Sequence, residues 1–322
     1  MSSTTPIWTH PAYPAIVVHL EEQSGLEFGR REWPRAERSI DCAMSRAGLD
    51  DPGRYLSRLQ ADPVEVDRLL DELRRSATGF LFGSPTVEFL RQWVLPEIRH
   101  RRGAEHHLRA WSAACASGEE AWSLAIVLED VNWGHRAWLL ATDATRTALD
   151  LARAAAYEVA ALAEMDPHLR DRCFRHADGR LVLADRLRPR VNFEVLNLAL
   201  DPFPSLGIGP WGMDLIVCRN ILACLNPRAL RLAAARLHAT LAEGGWLLTG
   251  EGDPVLSALA PLEPVETSAG PAYRRATRKG PAAGAFVGEQ ALEGAREALA
   301  RGEYALAAEL TGRLREMPRR AR

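Results

Sequence analysis

Short apolar runs alternate with longer helical segments between residues 108 and 249, and this alternation constrains the fold more than any other feature. The runs are too short for helices, whereas the segments between them place apolar residues at the spacing of one helix face. Strands that alternate with helices form βαβ units around a mainly parallel sheet. The predicted strands are Leu108–Ala114, Arg136–Ala141, Val191–Leu196, Met213–Cys218 and Trp246–Thr249, and the predicted helices are Glu119–Val131, Arg146–Ala161 and Arg228–Ala242. The sequence therefore predicts a Rossmann-like α/β domain over residues 105–278.

A hairpin interrupts this α/β pattern. Apolar and polar residues alternate from Phe174 to Leu183 around Asp178-Gly179, a dipeptide that favours a type I′ turn. We expect the hairpin to form a small antiparallel β insertion at about residues 170–192.

Helical patterns flank the α/β domain on both sides. Residues 22–98 predict an all-helical N-terminal domain, in which one helix begins at Pro63 behind Asp62 as its N-cap. Residues 1–20 show no period and are expected to form an arm. After a linker, residues 285–317 have the pattern of a helical hairpin similar to a tetratricopeptide repeat. A single repeat needs a neighbour to cover its face, so this hairpin is a candidate surface for a protein partner.

Composition restricts the class of protein further. The 322 residues carry a formal net charge of −2 and no basic stripe, which disfavours nucleic acid as substrate or partner. No apolar run approaches the roughly 18–20 residues of a membrane span, and the first residues lack the pattern of a secretory signal, so we expect a cytoplasmic protein without membrane insertion.

The five cysteines are scattered and form no CxxC pair, and His106-His107 lacks a partner at ligand spacing. We therefore expect no disulfide framework and no metal site.

The first strand–helix junction carries informative residues. Small side chains follow the strand from Ser112 to Gly118, and the next helix begins with Glu119-Glu120. Small side chains let a ligand approach the backbone, and carboxylates at this position suit a cationic group rather than a pyrophosphate. Acidic residues also favour helix N-termini through the helix dipole alone, so this junction by itself leaves both interpretations open.

The next predicted strand leads to Asp143. An acidic residue at the end of the second strand of such a fold can bind ribose hydroxyls. Together the two junctions describe a nucleoside ligand with a cationic tail, and S-adenosylmethionine fits that description. Its methyl group needs chiefly alignment with a nucleophile, so a prominent acid or base is not required.

Four segments in order along the chain share one further pattern: Trp111–Glu120, Ala141–Asp143, Asn197-Leu198 and Cys218–Leu222. In this order and spacing they resemble the CheR-type chemoreceptor methyltransferase family, over about residues 26–276. Members of that family transfer a methyl group from S-adenosylmethionine to glutamate side chains of chemoreceptors. The resemblance implies S-adenosylmethionine as cofactor and S-adenosylhomocysteine as product.

The resemblance also implies roles for individual residues. Glu120 would bind the methionine ammonium group and Asp143 the ribose. Asn197-Leu198 would flank the adenine. Arg219 and Asn220 would lie near the methyl donor as positioning residues. The candidate cofactor-binding residues are Ser76, Thr78, Ala114, Ser117, Gly118, Glu120, Asp143, Asn197, Leu198, Arg219 and Asn220.

Two departures from the family pattern, Phe82 and Cys224, concern the acceptor site. The family has Asn-x-Thr-x-Phe-Phe-Arg, whereas this chain has Ser76 for Asn and Phe82 for Arg. The family also has Arg-Asn-x-x-x-Tyr-Phe, whereas this chain has Cys224 for Tyr and Leu225 for Phe. The missing arginine and tyrosine are hydrogen-bond donors suited to orient a carboxylate. These changes predict an altered acceptor site and suggest a non-receptor or small-molecule substrate.

These observations leave two alternative functions from different classes open. The first is an O-methyltransferase that acts on a protein or small-molecule carboxylate. The alternative is a non-catalytic descendant that binds the cofactor or a partner and signals through residues 285–317. An RNA methyltransferase is disfavoured by the near-neutral charge.

Overall fold

The computed structural model describes residues 10–29, 33–73, 79–82, 84–204 and 209–277. The predicted helical hairpin at 285–317 and the linker before it lie outside these described residues.

A seven-stranded sheet forms the centre of the protein, in the strand order β6-β2-β1-β7-β8-β10-β9. The first five strands in that order run parallel, whereas β10 runs antiparallel to both β8 and β9. The strands of this sheet are β1 Leu108–Ala113, β2 Ala137–Asp143, β6 Val191–Val195, β7 Met213–Cys218, β8 Leu241–Thr249, β9 Leu262–Val265 and β10 Ala272–Arg275. The predicted α/β class and its mainly parallel sheet are confirmed.

Successive strand residues bury their side chains on opposite faces of the sheet. Ala110 and Val217 face one hydrophobic core, whereas Trp111 and Ile216 face the other. Because both faces are covered by helices, the central strands β1, β2, β7 and β8 are mostly buried and apolar, whereas in the edge strand β6 apolar residues alternate with polar ones. The helices are α1 Ala12–Ser24, α2 Trp33–Arg46, α3 Pro52–Ala61, α4 Pro63–Leu73, α5 Pro85–Phe89, α6 Leu95–Arg102, α7 Glu119–Asp130, α8 Arg146–Ala154, α9 Pro167–Cys173 and α10 Pro227–Thr240.

Helices α1 to α4 form a helical layer that packs on one face together with α10, and α5 to α7 pack on the other face. The expectation that residues 1–20 form an arm is wrong for the part that is described, since α1 begins at Ala12. Ile16 and Leu20 are fully buried, and Gly25 ends the helix with a φ of 74°. Pro14 lies in the first turn, where proline is compatible with a helix.

The predicted insertion is present as a three-stranded antiparallel sheet, in the order β3-β5-β4. The predicted hairpin joins β4 Phe174–Ala177 to β5 Arg180–Leu183 through Asp178 and Gly179. Their φ angles of 49° and 75° are both positive, as a type I′ turn requires. The third strand, β3 Ala156–Glu158, replaces the end of the helix predicted over Arg146–Ala161, because Ala155 is left-handed and ends α8.

Within the described ranges, no helix is both long and apolar enough to cross a membrane. The same residues contain no group of three or more His, Cys, Asp or Glu side chains that could hold a metal ion.

Candidate functional site

A cleft of about 940 Å³ lies between the helical layer and the carboxyl ends of the parallel strands. This edge is where open α/β sheets bind their ligands. From the helical layer and the segment after α1, the lining residues are Leu26, Glu27, Phe28, Arg35, Arg46, Arg68, Asp71, Glu72 and Leu73. From the α/β part, they are Ala114, Ala116, Ser117, Asp143, Thr147, Ala148, Leu151, Arg219, Asn220, Ile221 and Cys224. The cleft therefore brings together many of the residues that the sequence predicts for the site.

The loop between β1 and α7 turns sharply under the cleft. Ala114 and Ala116 have positive φ angles of 59° and 46°, and Gly118 has a φ of 92°. A Cβ atom on Gly118 would lie 2.8 Å from the Cβ of Ala152, so only glycine allows α7 to pack this closely on α8. The Ser117 hydroxyl donates to the Glu119 carboxylate at 2.8 Å. The small residues of this loop thus expose backbone to the cleft, as the sequence predicts.

Asp143, the last residue of β2, is fully buried at the border of the cleft. The backbone N–H of Ala116 donates to its Oδ2 at 3.0 Å, and the backbone N–H of Thr145 donates to its Oδ1 at 3.2 Å. These two donors fix the orientation of the carboxylate. A carboxylate has about four lone-pair sites, so it retains acceptor capacity for hydroxyl groups of a ligand.

Glu120 lies in the first turn of α7 and is partly buried. The Ser112 hydroxyl donates to its Oε1 at 2.8 Å. Burial raises the pKa of this carboxyl from 4.5 to about 7, and the Asp253 carboxylate raises it too, whereas the Ser112 hydrogen bond and the Arg219 guanidinium lower it. Burial disfavours the ionised form of a carboxylate, and a bound cation stabilises that form.

Arg219 and Asn220 follow β7 and line the cleft beside Cys224. In the part of the chain that is described, the Arg219 Nε is buried without a hydrogen-bond partner. Asn220 has a left-handed φ of 62°, and its backbone N–H donates to Asp253 at 2.8 Å. Sequence reasoning missed Asp253. The signal that could have found it is its position just after a parallel strand, the same rule that singled out Asp143.

Asn197 and Leu198 border an apolar recess next to the cleft. The Asn197 Oδ1 accepts from the backbone N–H of Ala199 at 2.8 Å, and its Nδ2 donates to the carbonyl of Ser24 at 3.2 Å. Both ends of this amide therefore hold the local backbone together. The recess is lined by Ser24, Leu26, Leu70, Ala114, Ala144, Leu196, Asn197, Leu198, Ile221 and Leu225. Such apolar walls suit the faces of a flat aromatic ring.

The two positions that depart from the family pattern lie in different environments. Cys224 is half-buried and lines the cleft. Phe82 is only 7% exposed and belongs to the hydrophobic core under α7, where the neighbouring Leu81 N–H donates to the Ser123 hydroxyl at 3.0 Å. Ser76 and Thr78 lie outside the described residues.

Comparisons with known proteins agree with this arrangement. The family described as "CheR methyltransferase, SAM binding domain" matches residues 76–269. Chemotaxis protein methyltransferase 1 of Pseudomonas aeruginosa is 29% identical over 266 residues, which cover 80% of this chain and 95% of that protein. Chemotaxis protein methyltransferase Cher2 of Pseudomonas putida is 28% identical over 270 residues, with 80% and 95% covered.

Among solved structures, a TehB-like SAM-dependent methyltransferase from Corynebacterium glutamicum is similar with a TM-score of 0.31 and 15% identity, over 56% of this chain and 85% of that one. That similarity is too low to add to the assignment, which depends on the family match over more than half of the chain. With its S-adenosylmethionine-binding domain and its cleft at the carboxyl edge of the sheet, the chain belongs to the CheR methyltransferase family.

Proposed function

We propose that this S-adenosylmethionine-dependent methyltransferase of the CheR family methylates a carboxylate oxygen on an acceptor that enters the cleft between the helical layer and the sheet. The observation that carries the proposal is that arginines line the same cleft as the cofactor residues. They are Arg35, Arg46, Arg68 and Arg219. Guanidinium groups bind carboxylates through paired hydrogen bonds, so they suit an acidic acceptor.

Two of these arginines are held in place by buried partners. Glu65 is only 2% exposed and accepts from the Tyr55 hydroxyl at 2.9 Å. Arg46 lies 3.7 Å and Arg68 3.6 Å from the Glu65 carboxylate, and both arginine side chains are about half exposed. Glu72 pairs with Arg46 as well. The buried carboxylate of Glu65 thus orients both guanidinium groups at the edge of the cleft.

The residues present fit S-adenosylmethionine. The Glu120 carboxylate, disfavoured as a lone buried charge, would hold the ammonium group. Asp143, fixed by two backbone donors, would accept from the ribose hydroxyls. The apolar residues beside Leu198 would contact the adenine at the border of the cleft. When bound, the cofactor supplies a methyl group on a positively charged sulfur, which leaves as a neutral thioether.

A carboxylate acceptor needs little more from the chain than alignment. Glutamate has a pKa near 4.3, so it is already ionised at neutral pH and no base has to remove a proton. Alignment of the acceptor oxygen with the methyl group then accounts for most of the rate. Among the arginines that line the cleft, Arg219, just after β7, lies nearest in sequence to the altered position Cys224. We infer that Cys224, in place of the family tyrosine, changes which acceptors align well.

The test has a binding step and a transfer step. Calorimetry should detect micromolar binding of S-adenosylhomocysteine that is lost in Asp143→Ala and kept in Asp150→Ala, whose side chain on α8 is 75% exposed. Radiolabelled S-adenosylmethionine is then offered with a chemoreceptor cytoplasmic fragment, a glutamate-rich peptide and succinate. A carboxyl methyl ester releases methanol in mild base, so a base-stable product would contradict a carboxylate acceptor. Cofactor binding without transfer to any acceptor would favour the non-catalytic alternative.

A further inference from the structure

Asp253 lies just after β8 and holds two loops of the cleft together. Its side chain is 8% exposed. The backbone N–H groups of Asn220 and Gly250 each donate to its Oδ2 at 2.8 Å, and the N–H of Ala223 donates to its Oδ1 at 3.2 Å. One carboxylate therefore joins the loop after β7 to the loop after β8.

The loop after β7 needs such a support. Asn220 adopts a left-handed φ of 62°, which costs more than an ordinary conformation for any residue except glycine, although asparagine is among the residues that tolerate it best. Gly250 lets this loop approach closely, because a Cβ atom there would lie 2.9 Å from the Asn220 backbone nitrogen. Hydrogen bonds from two of its backbone N–H groups to a buried charge offset the cost of this conformation. The same loop supplies Arg219, Asn220 and Cys224 to the cleft.

We propose that Asp253 is a positioning residue for methyl transfer, since its carboxylate fixes the loop that presents Arg219 and Asn220 to the cofactor. This inference rests on the proposed function. Among the described residues, Asp253 is not part of the cleft wall, so it acts through the loop rather than by contact with substrate.

The charge of Asp253 also reaches Glu120. Besides burial, the Asp253 carboxylate is what raises the pKa of Glu120, against the Ser112 hydrogen bond and the Arg219 guanidinium. The thiols of Cys115 and Cys218 interact with the Glu120 charge as well, and burial keeps both neutral by raising their pKa values. Loss of the Asp253 charge alone would lower the pKa of Glu120, whereas displacement of Arg219 would raise it, and Arg219 has the larger of the two effects. A loop that is no longer held should therefore raise the pKa of Glu120.

The experiment measures S-adenosylhomocysteine affinity by calorimetry between pH 5.5 and 8.5. Asp253→Asn should bind about tenfold more weakly at pH 8, since charged hydrogen bonds to backbone donors are lost. The pH midpoint of its binding should also lie above that of the native chain, because Arg219 is no longer held near Glu120. Asp253→Glu keeps the charge but moves it, so both its affinity and its midpoint should lie between those of the native chain and of Asp253→Asn.

Asp214→Asn is the matched control. Asp214 is also a buried carboxylate, 3% exposed, and it accepts a backbone N–H from Arg109 at 3.0 Å near the start of β7. This variant should lose thermal stability but keep the native affinity and midpoint. The proposal is overturned if Asp253→Asn keeps the native affinity, if the pH midpoint of Asp253→Asn does not rise, or if Asp214→Asn binds S-adenosylhomocysteine as weakly as Asp253→Asn does. If Asp253→Asn does not fold, native affinity in Asp253→Glu overturns it. A native chain that binds no S-adenosylhomocysteine would instead refute the proposed function, and this inference with it.

Discussion

The Thr145 hydroxyl lies 2.6 Å from the Asp71 carboxylate, and this hydrogen bond joins helix α4 to the α/β part beside the candidate ribose site. Thr145 is fully buried, and its backbone N–H donates to Asp143. One residue further on, the Arg146 N–H donates to Asp67 of α4 at 3.2 Å. Asp67 and Asp71 of α4 thus accept hydrogen bonds from donors at the N-terminus of α8, where negative charge is favoured. The position of α4 and the orientation of Asp143 are therefore linked through Thr145.

Thr145→Val tests this link. The substitution keeps the side-chain shape but removes the donor to Asp71, so we expect a loss of about 1–2 kcal/mol in the free energy of unfolding. S-adenosylhomocysteine affinity should fall severalfold, because the Thr145 hydroxyl also lies 3.3 Å from the Asp143 carboxylate and this contact is lost. Thr240→Val is the control, since Thr240 is equally buried but donates its hydroxyl to Arg236 within α10. Denaturant unfolding and calorimetry measure both effects, and equal affinity losses in the two variants would rule out the link.

Glu120 should make cofactor binding depend on pH. With a pKa raised to about 7 by burial, this carboxyl is half protonated at neutral pH in the unliganded protein. A bound ammonium group requires the ionised form, so S-adenosylhomocysteine affinity should rise from pH 6 to pH 8 and level off above that. In Glu120→Gln the affinity should be lower and the pH dependence lost. The matched ligand is 5′-methylthioadenosine, which lacks the ammonium group and should bind the native chain with no such dependence.

The same carboxyl should affect the stability of the unliganded protein. Its pKa is higher in the folded chain, about 7, than the ordinary value of 4.5, so the folded state holds the proton more tightly. Its contribution to stability is therefore fully present below about pH 4.5 and is lost as the pH rises through 7. We expect Glu120→Gln to be more stable than the native chain at pH 8, with the difference shrinking toward pH 5. Thermal unfolding across this range measures it, and a constant difference would contradict the raised pKa.

The sequence predicts the elements that a local residue pattern determines, such as the strands of the sheet, but it does not predict the contacts between loops. The strands β1, β2, β7 and β8 are predictable because each contains a short run of buried apolar residues, and β6 because Val191, Phe193 and Val195 alternate with polar residues. Helix α1 escaped prediction because Pro14 and the β-branched Ile16 and Val17 weaken its propensity, and packing on the sheet overrides that weakness. Asp253 could not be assigned a role, because its hydrogen-bond partners at Asn220 and Ala223 are distant in sequence.

Gly118 should be intolerant of even one methyl group. It combines a positive φ of 92° with a Cβ position 2.8 Å from the Cβ of Ala152. Gly179, in the type I′ turn, has a positive φ of 75° with nothing within 4 Å of its Cβ position, so Gly179→Ala isolates the backbone cost. That cost is about 1–2 kcal/mol. Gly118→Ala should lose about 1–3 kcal/mol more, because α7 must move away from α8. Equal losses in denaturant unfolding of the two variants would mean that α7 and α8 are less tightly packed than the structure indicates.

Phe82 and Cys224 should respond very differently to restoration of the family side chains. Phe82 is 7% exposed in the core under α7, so Phe82→Arg places a charge among apolar groups and should cost about 3–5 kcal/mol. Phe82→Leu, which stays apolar, should cost much less. Cys224→Tyr adds a ring at the half-buried wall of the cleft and should change the free energy of unfolding by less than about 1 kcal/mol. Thermal unfolding of the three variants, followed by methyl transfer to the chemoreceptor fragment, separates stability from specificity. If Phe82→Arg is as stable as the native chain, its side chain reaches the cleft, and both positions belong to the acceptor site.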